Sequence, residues 1–374
     1  MITRPCNPKV YMGLFCIFSW ASNALAMKLK SNLFYIPFRL RLWSGVLILA
    51  HLHMKAQDST LIVADGWIEK MDNKMAMDLS LNNAYEVFEV RTPNERLVIH
   101  PNAKTHLRYN LNYRFISLGF SLAPNFIPGN GNENLKGKTK SVSWGTALNF
   151  KKSFFEVSYD RVKGYYLANT NDFTPRNHGD PFIQFPDLRY TGFSLSAGYY
   201  SNSRFSFRSL TSQTERQLKS AGSFIPVFNA RYYIIDDTSE TPGTQKSNNW
   251  ETSAGPGYAY TFVANKKYYL SLGTQAQIGY LHTKLTTRLN SGEVITDQNN
   301  LLFRWDGKIG AGYNGDRFYT GVYTSLSGAQ YKQEYTTVVN HDTRIFYHLF
   351  LGIRFNAPDY LKRKVGAFED KYLK

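Results

Sequence analysis

One short segment of the chain concentrates residue types that bind anions. Residues 213–217 read QTERQ, and Glu215, Arg216 and Lys219 lie close together in the sequence. An arginine guanidinium binds carboxylates and phosphates through parallel hydrogen bonds, so these residues are candidates for a ligand contact or a gate. The alternative is a solvated turn in which Glu215 and Arg216 form an exposed ion pair that contributes little.

A second polar group consists of Asp160, Arg161 and Lys163. It allows the same two interpretations, a contact with an anionic ligand or a solvated surface. The spacing of these three residues matches no catalytic or phosphate-binding motif, so the expected role of both groups is binding.

Motifs that would indicate catalysis are absent from the sequence. It contains no G-x-x-x-x-G-K-[ST], H-E-x-x-H or G-x-S-x-G. The histidines after residue 56 have no metal-ligand spacing, so we expect neither a metal nor a cofactor. His106 and His348 could approach each other if their strands were first and last in a closed sheet, but two unrelated histidines are the favoured interpretation.

The charge of the chain is unevenly distributed. The 44 Lys and Arg and 28 Asp and Glu give a net charge of +16, yet residues 1–56 contain seven of the basic residues and no acidic ones. The remainder carries +9 and has no cysteine, because Cys6 and Cys16 both lie in this first segment. A body without cysteine fits export to an oxidising compartment. Its basic residues are scattered, which argues against nucleic-acid binding.

Residues 1–56 are interpreted as an export signal that is cleaved. An acid-free basic region leads to the apolar run at 44–54, and a small residue follows it. A second apolar run at 11–20 precedes an A-x-A motif at 24–26, which matches a cleavage site better. The favoured interpretation is nevertheless that Met27 is the true start. A pair of membrane helices is the alternative, but each run has about ten residues and a helical span needs about 20.

Beyond the signal, apolar and polar residues alternate with a period of two. In residues 105–114 (THLRYNLNYR), Leu111 and Tyr113 share one face, and His106 and Asn112 share the other. The same alternation recurs to residue 355, with short turns alternating with long polar links. This pattern predicts an all-β fold, an antiparallel transmembrane β-barrel of about 12 to 14 strands. A soluble β-sandwich or barrel also alternates, but the long links disfavour it.

The polar faces of the predicted strands carry charges that suit a wet lumen and not lipid. They include Arg108, Arg114, Glu156, Asp160, Arg208, Arg231, Arg304, Asp306 and Lys308. Strand directions counted from the two ends of the barrel disagree by one strand within residues 204–235. The predicted strands there include one at Phe205 and Phe207. One element is therefore missed or overcounted in this region, and residues 211–219 are the suspected place.

The predicted organisation has four parts and no segment with a convincing helical period. The parts are the signal region at 1–56, an N-terminal segment at 57–104 with weaker strand candidates at 75–81 and 84–91, the barrel at 105–355, and a charged tail at 356–374.

Several short motifs in the body resemble one protein family. They are DNK at 72–74, KTK at 138–140, KGYYL at 163–167, PDLR at 186–189, RFSFR at 204–208, QTERQ at 213–217, KSAGSF at 219–224 and GYAYTF at 257–262. Together they resemble an exported family of the Bacteroidota known as domain of unknown function 4421. The resemblance spans residues 68–358 and implies an outer-membrane barrel of unassigned activity. It supplies no catalytic residues, and the tail from Asp359 departs from barrels that end near an aromatic residue.

These observations predict a porin-like protein in the cell outer membrane that contacts outer-membrane lipid and lipopolysaccharide. Its expected function is that of a channel or binder for small polar or anionic solutes. Two alternatives stay open: a lipid-modifying enzyme with a Ser and a His on the lipid-facing wall, and a structural or secretion-accessory barrel. An enzyme is the less favoured class, because His106 and His348 lie on the polar face.

Overall fold

The computed structural model describes most of the chain after the export region. The described residues are 62–64, 66–83, 87–91, 96–102, 105–128, 130–240, 243–332 and 339–372. The predicted signal, its cleavage site and the alternative start at Met27 lie outside these residues.

The described residues form nineteen strands and two α-helices. The strands are β1 (Ile62–Ala64), β2 (Ile68–Lys70), β3 (Lys74–Asn82), β4 (Phe88–Arg91), β5 (Arg96–Pro101), β6 (His106–Tyr113), β7 (Ile116–Leu122), β8 (Lys140–Asn149), β9 (Ser153–Leu167), β10 (Gln184–Tyr199), β11 (Glu215–Gln217), β12 (Ala221–Phe224), β13 (Val227–Asp237), β14 (Thr244–Gly255), β15 (Gly257–Ala264), β16 (Tyr268–Leu289), β17 (Gly292–Asn314), β18 (Phe318–Lys332) and β19 (Val339–Asn356). The helices are α1 (Glu133–Lys136) and α2 (Asp359–Tyr372), and residues Thr170–Asp172 form a 3₁₀ turn.

Twelve antiparallel strands close into a ring. Their order is β3-β6-β7-β8-β9-β10-β13-β14-β16-β17-β18-β19, and β19 pairs with β3 to complete it. β12 and β15 extend β13 and β14 at one end, after interruptions at Pro226 and Pro256. Proline has no N–H for the sheet, so each interruption lies where a sheet hydrogen bond is lost. The protein is an antiparallel transmembrane β-barrel, as predicted, with twelve strands in the ring.

The two faces of the barrel wall differ in polarity as the alternation predicts. On β6, Leu111 is exposed, whereas His106 and Asn112 are buried inside. The outer wall presents a continuous apolar band, in which Leu301 is 75% and Leu351 is 65% exposed. Exposure of large apolar side chains over a whole wall is costly in water and favourable against lipid, so this band is the membrane-facing surface.

The ends of the barrel differ in their connections. At one end, called the turn end, β3 begins, β19 ends, and short turns lie at residues 114–115, 150–152, 265–267 and 315–317. The opposite loop end carries the longer connections, among them the one at residues 168–183. The connection of residues 200–220 is the long exception at the turn end.

This exception resolves the strand miscount. Phe205 and Phe207 do not lie in a strand, so the strand predicted around them was overcounted. Instead, β11 pairs with β2, and β2 with β1, in a separate three-stranded sheet. The barrel also begins earlier than residue 105, because β3 is a strand of the ring. The candidate at 84–91 is not in the ring: β4 pairs with β5.

The charged tail contains a helix that the sequence analysis missed. α2 follows β19 directly and packs through Val365 against Tyr113 and Phe115. In the described ranges, no helix has the length and apolar character needed to cross a membrane.

Candidate functional site

A plug closes the turn end of the barrel. We define the plug as residues 66–71 together with 200–219, which β2 and β11 join by backbone pairing. Arg216 holds the two segments together, because its Nε donates to Glu69 Oε2 at 2.6 Å and both side chains are buried. A buried carboxylate needs such a partner, since an unpaired charge away from water is very costly.

The plug is also bonded to the barrel wall. Arg354 of β19 donates to the Gln213 carbonyl and, at 2.6 Å, to Asn314 Oδ1. Thr214 Oγ1 donates to the Arg114 carbonyl at 2.8 Å, and Phe207 stacks on the ring of Phe154 of β9 at 5.0 Å. These contacts reach strands on several sides of the ring, so the plug spans its mouth.

A carboxylate in the turn between β17 and β18 extends the plug's ion pairs. Asp316 Oδ1 lies 2.8 Å from Arg216, and Lys267 is also close. Partial burial opposes ionisation of Asp316, but Arg216 and the neighbouring lysines outweigh it and hold the pKa of Asp316 below its ordinary value. Asp316 therefore stays ionised beside the plug at neutral pH.

The structure separates the residues that the sequence grouped around Arg216. Glu215 lies 3.3 Å from Arg208 and accepts a hydrogen bond from Ser206 at 2.7 Å, so it is part of the plug's interior. Lys219 is exposed, with its Nζ 5.3 Å from the ring centre of Trp67. Their role in ligand binding stays a prediction, but Glu215 and Arg216 are engaged with protein partners here.

The second predicted group is divided between the two faces of β9. Asp160 shares the inward face with Ser158, which donates to it at 3.4 Å. Arg161 and Lys163 are exposed on the opposite face, and Lys163 lies 2.9 Å from Asp187. The three residues therefore do not form one site.

A cavity of about 240 Å³ lies in the lumen at mid-height of the barrel. Its charged and amide lining comes from neighbouring strands β13, β14, β16 and β17, and serines of β10 and β18 complete the polar lining. The charged and amide residues include Asn229, Arg231, Glu251, Gln275, Gln277, Arg304 and Asp306. The charges among them belong to the predicted polar faces, except Glu251, which the sequence analysis did not single out.

Two arginine side chains of this cavity lie near the same glutamate carboxylate. Arg304 lies 2.6 Å and Arg231 3.8 Å from the one carboxylate of Glu251. Arg304 Nε and Gln277 Nε2 are buried donors with no hydrogen-bond partner among the described residues. An unsatisfied buried donor costs about 1–3 kcal/mol, so these two N–H groups favour an acceptor entering the cavity.

Nothing in the sequence indicated that Gln277 would supply an unpaired donor at this cavity. Its Oε1 accepts hydrogen bonds from Asn229 and Ser253, both at 2.8 Å, and this fixes the amide so that Nε2 is left free. The only signal available was its place on an inward-facing position of a strand. That position becomes informative once the neighbouring strands are known.

An apolar cluster covers part of the loop end. Leu97 and Ile99 of β5 are buried against Tyr165 and Tyr190 of the wall, and Phe88 of β4 lies with its ring centre 5.3 Å from that of Tyr165. The β4–β5 hairpin thus folds over the lumen at this end. The cavity lies between this apolar cover and the charged plug.

The two histidines considered as a pair are buried in the lumen on separate strands. Asn82 of β3 lies between them in the sheet register: its partner on β19 is His348, and its partner on β6 is His106. The histidines therefore lie about two strand spacings, or roughly 10 Å, apart. His106 Nε2 bonds to Ser141 Oγ at 3.0 Å, and the described residues contain no group of three side chains able to hold a metal.

One histidine does belong to the outward face. His282 Nδ1 lies 2.9 Å from Asn299 Oδ1, and its Nε2 lies 3.7 Å from Asp297. No serine hydroxyl in the described ranges is hydrogen-bonded to it. The pairing required for a lipid-modifying enzyme is therefore incomplete at His282.

The chain was compared with solved structures and with curated proteins. Solved structures that match the chain include OmpT, an outer membrane protein of Vibrio cholerae (8% identity, covering 79% of this chain and 100% of that chain, TM-score 0.29). A second match is the β-domain of the Bordetella autotransporter BrkA (11% identity, covering 76% of this chain and 100% of that chain, TM-score 0.35). A third is an outer membrane channel from Pseudomonas putida F1 (8% identity, covering 81% of this chain and 100% of that chain, TM-score 0.34). No curated protein matches the sequence.

The model of one family, described as "Domain of unknown function (DUF4421)", matches residues 58–355. This match includes every strand of the ring almost to the last residue of β19 and agrees with the motifs at 72–74 through 257–262. The protein belongs to the DUF4421 family.

Proposed function

We propose that this protein is an outer-membrane barrel that binds a small anionic solute, such as a carboxylate or a phosphate, in its lumen. The observation that carries the proposal is the pair of donors without partners, Arg304 Nε and Gln277 Nε2, at a lumenal cavity of about 240 Å³. The apolar outer wall and the short turns at the end that holds both barrel termini support the outer-membrane location.

The two donors without partners favour an acceptor in the cavity, and an anion is the strongest acceptor. Arg231 and Arg304 share the carboxylate of Glu251, and Asp306 is a second acidic residue of the lining, so the preference comes from these donors and not from an excess of positive charge. An oxyanion that reached Arg304 Nε or Gln277 Nε2 would accept a hydrogen bond there, and hydrogen bonds to charged groups are the stronger kind. The cavity volume of about 240 Å³ is large enough to admit a small oxyanion.

Binding and passage are separate steps in this proposal. With the plug in place, a solute bound at mid-height cannot leave through the turn end. Passage therefore requires the plug to move, whereas binding requires only access to the cavity. The protein is accordingly a binder that becomes a channel when the plug is displaced.

Isothermal titration calorimetry of the refolded barrel tests the binding step. Acetate, succinate and phosphate are titrated, with glycerol as the neutral comparison. Arg304→Lys keeps the positive charge but removes the Nε donor, so we expect it to weaken anion binding roughly tenfold, the effect of one hydrogen bond to a charged group. Arg288→Lys is the matched control, because Arg288 bonds to Asp236 outside the cavity. Absence of anion binding by the unmodified protein, or equal affinity in Arg304→Lys, would contradict the proposal.

A further inference from the structure

Helix α2 lies against the outside of the barrel at the turn end. Val365 and Leu361 pack on Tyr113, Met75 and Ile116, in the cluster that also contains Phe115. Met75 and Tyr113 are partners in neighbouring strands and continue the outward-facing rows of β3 and β6. The helix therefore covers the end of the surface whose central part faces lipid.

A row of aromatic rings connects the lipid-facing wall to the helix. Phe155 of β9 is 45% exposed, and its ring centre lies 6.1 Å from that of Phe150. The ring centre of Phe150 lies 5.5 Å from that of Phe115. Phe115 stacks on Phe368 of the helix at 5.9 Å, and Phe368 contacts Tyr372 at 5.0 Å. The apolar surface of the barrel thus continues without a gap onto the helix.

The faces of the helix are sorted by chemistry. Leu361, Val365, Phe368 and Tyr372 follow one another at spacings of four, three and four residues, which places them on one stripe of an α-helix. Lys364 and Lys371 lie seven residues apart on the flank of this stripe. Each lysine lies over an aromatic ring, Lys364 over Tyr360 at 5.9 Å and Lys371 over Tyr372 at 4.9 Å.

The other flank of the helix faces the protein. Glu369 forms an ion pair with Arg114, and the Arg114 side chain also donates to the Asp72 carbonyl at 3.2 Å. Burial opposes the charge of Arg114, but Glu369 and the neighbouring acidic groups outweigh it and raise the pKa of Arg114. Because Glu369 is held in this ion pair, the helix is fixed in its rotation against the barrel. With this flank engaged, the flank with the lysines and exposed rings points away from the barrel.

We propose that α2 is an interfacial helix whose exposed aromatic side chains and lysines bind the phospholipid headgroup layer at the turn end of the barrel. Aromatic rings with a polar tip and a basic flank are the features that hold a helix in the plane of a membrane interface. The exposed fractions of 65% for Tyr360 and 60% for Tyr372 are then surface buried by headgroups. The lysines provide the charge that matches the lipid phosphates. The proposal depends on the barrel being embedded in a membrane and not on solute binding.

Site-directed fluorescence measures where the helix lies. In a background with Cys6 and Cys16 replaced by Ser, single variants Tyr360→Cys, Tyr372→Cys and Asp370→Cys are labelled with an environment-sensitive fluorophore. The refolded proteins are placed in vesicles of phosphatidylcholine with and without phosphatidylglycerol. Heat-modifiable migration in gel electrophoresis checks that each variant forms a barrel. Asp370 is the control, because it is exposed and lies nearly opposite the stripe, roughly 100° around the helix axis from Lys371.

We expect the labels at positions 360 and 372 to shift their emission to shorter wavelength and to be quenched by brominated lipid, whereas the label at 370 stays water-like. Adding Lys364→Glu and Lys371→Glu to the labelled variants should reduce the shift most in vesicles that contain phosphatidylglycerol. Water-like emission at both 360 and 372 in folded barrels would overturn the proposal, as would equal quenching at all three positions.

Discussion

Glycines on the inward face of the barrel make room for aromatic rings of neighbouring strands. Gly352 of β19 is opposite Tyr319 of β18, and a Cβ at Gly352 would lie 2.1 Å from Tyr319 Cζ. Tyr319 is fully buried and donates a hydrogen bond from its hydroxyl to Asp78 Oδ2 at 3.1 Å. The ring can reach this carboxylate across the lumen side of the sheet only because position 352 has no side chain.

We expect Gly352→Val to lower the free energy of unfolding by roughly 2 kcal/mol, because overpacking displaces the Tyr319 ring. Urea titration of the refolded barrel, followed by tryptophan fluorescence, measures the change. Gly307→Ala is the matched control, since the nearest atom to its added Cβ is 3.9 Å away, and it should leave stability unchanged. A Gly352→Val barrel as stable as the unmodified one would show that the ring relaxes freely.

At this scale the sequence predicts the face of a residue but not its partner. Alternation correctly placed Leu111 outside and Asn112 inside, because the two faces of a half-buried strand differ in polarity. It gave no means of pairing Arg216 with Glu69, which lies 147 positions away in the chain. The unpaired donor of Gln277 was equally hidden, because it depends on two neighbours that come from other strands.

Among the elements, the plug has the largest share of buried charge. Arg216, Glu69, Arg208 and Glu215 are all nearly inaccessible to solvent. Removal of one partner from a buried ion pair leaves the other charge uncompensated, which is a large penalty. The plug is therefore sensitive to single substitutions of these charges, and Arg216 is the position where its two segments and the turn at Asp316 meet.

We expect Arg216→Ala to open the turn end, because it leaves Glu69 buried without its partner at a cost on the order of 3 kcal/mol. Planar bilayer recordings should show low conductance for the unmodified barrel and larger, longer openings for the variant. Lys219→Ala is the matched control, because this lysine is exposed at the same end of the barrel. If folded Arg216→Ala barrels conduct no better than the unmodified protein, the plug is not held by this ion pair.

Two elements were misjudged from the sequence for different physical reasons. Phe205 and Phe207 alternate with polar residues as a strand would, but Phe205 is buried in the plug and Phe207 stacks on Phe154. Spacing alone does not reveal whether apolar side chains face lipid or protein. In α2 the apolar stripe from Leu361 to Tyr372 is short and is surrounded by charged residues. The helical period of its apolar residues was therefore not recognised in the sequence.

At the scale of the whole molecule, the twelve-stranded ring sets which parts face each side of the membrane. An even number of strands puts the start of β3 and the end of β19 at the same end, together with the short turns. Short turns on the periplasmic side and longer loops outside are the arrangement of outer-membrane barrels. The loop around Gly179 is exposed, and no atom lies within 4 Å of an added Cβ there.

An epitope inserted between His178 and Gly179 should be bound by antibody on intact cells, because this loop is at the outward end. The same epitope placed after Lys374 is the control, and it should be bound only after the outer membrane is permeabilised. Immunofluorescence on both samples measures the difference. Binding to the C-terminal epitope on intact cells would show that the orientation is reversed, and recovery of the protein in the soluble fraction would contradict membrane insertion.

The seam between β3 and β19 has a consequence for biosynthesis. It joins Lys74 to Asn356, so the first and last strands of the ring meet only after nearly the whole chain has been made. Until then, both strands present unpaired backbone edges, which invite association with other chains. Contacts between distant parts of a chain also form slowly. Passage of the nascent protein to the membrane thus calls for a chaperone that shields two open edges, and a chain truncated before β19 would retain them permanently.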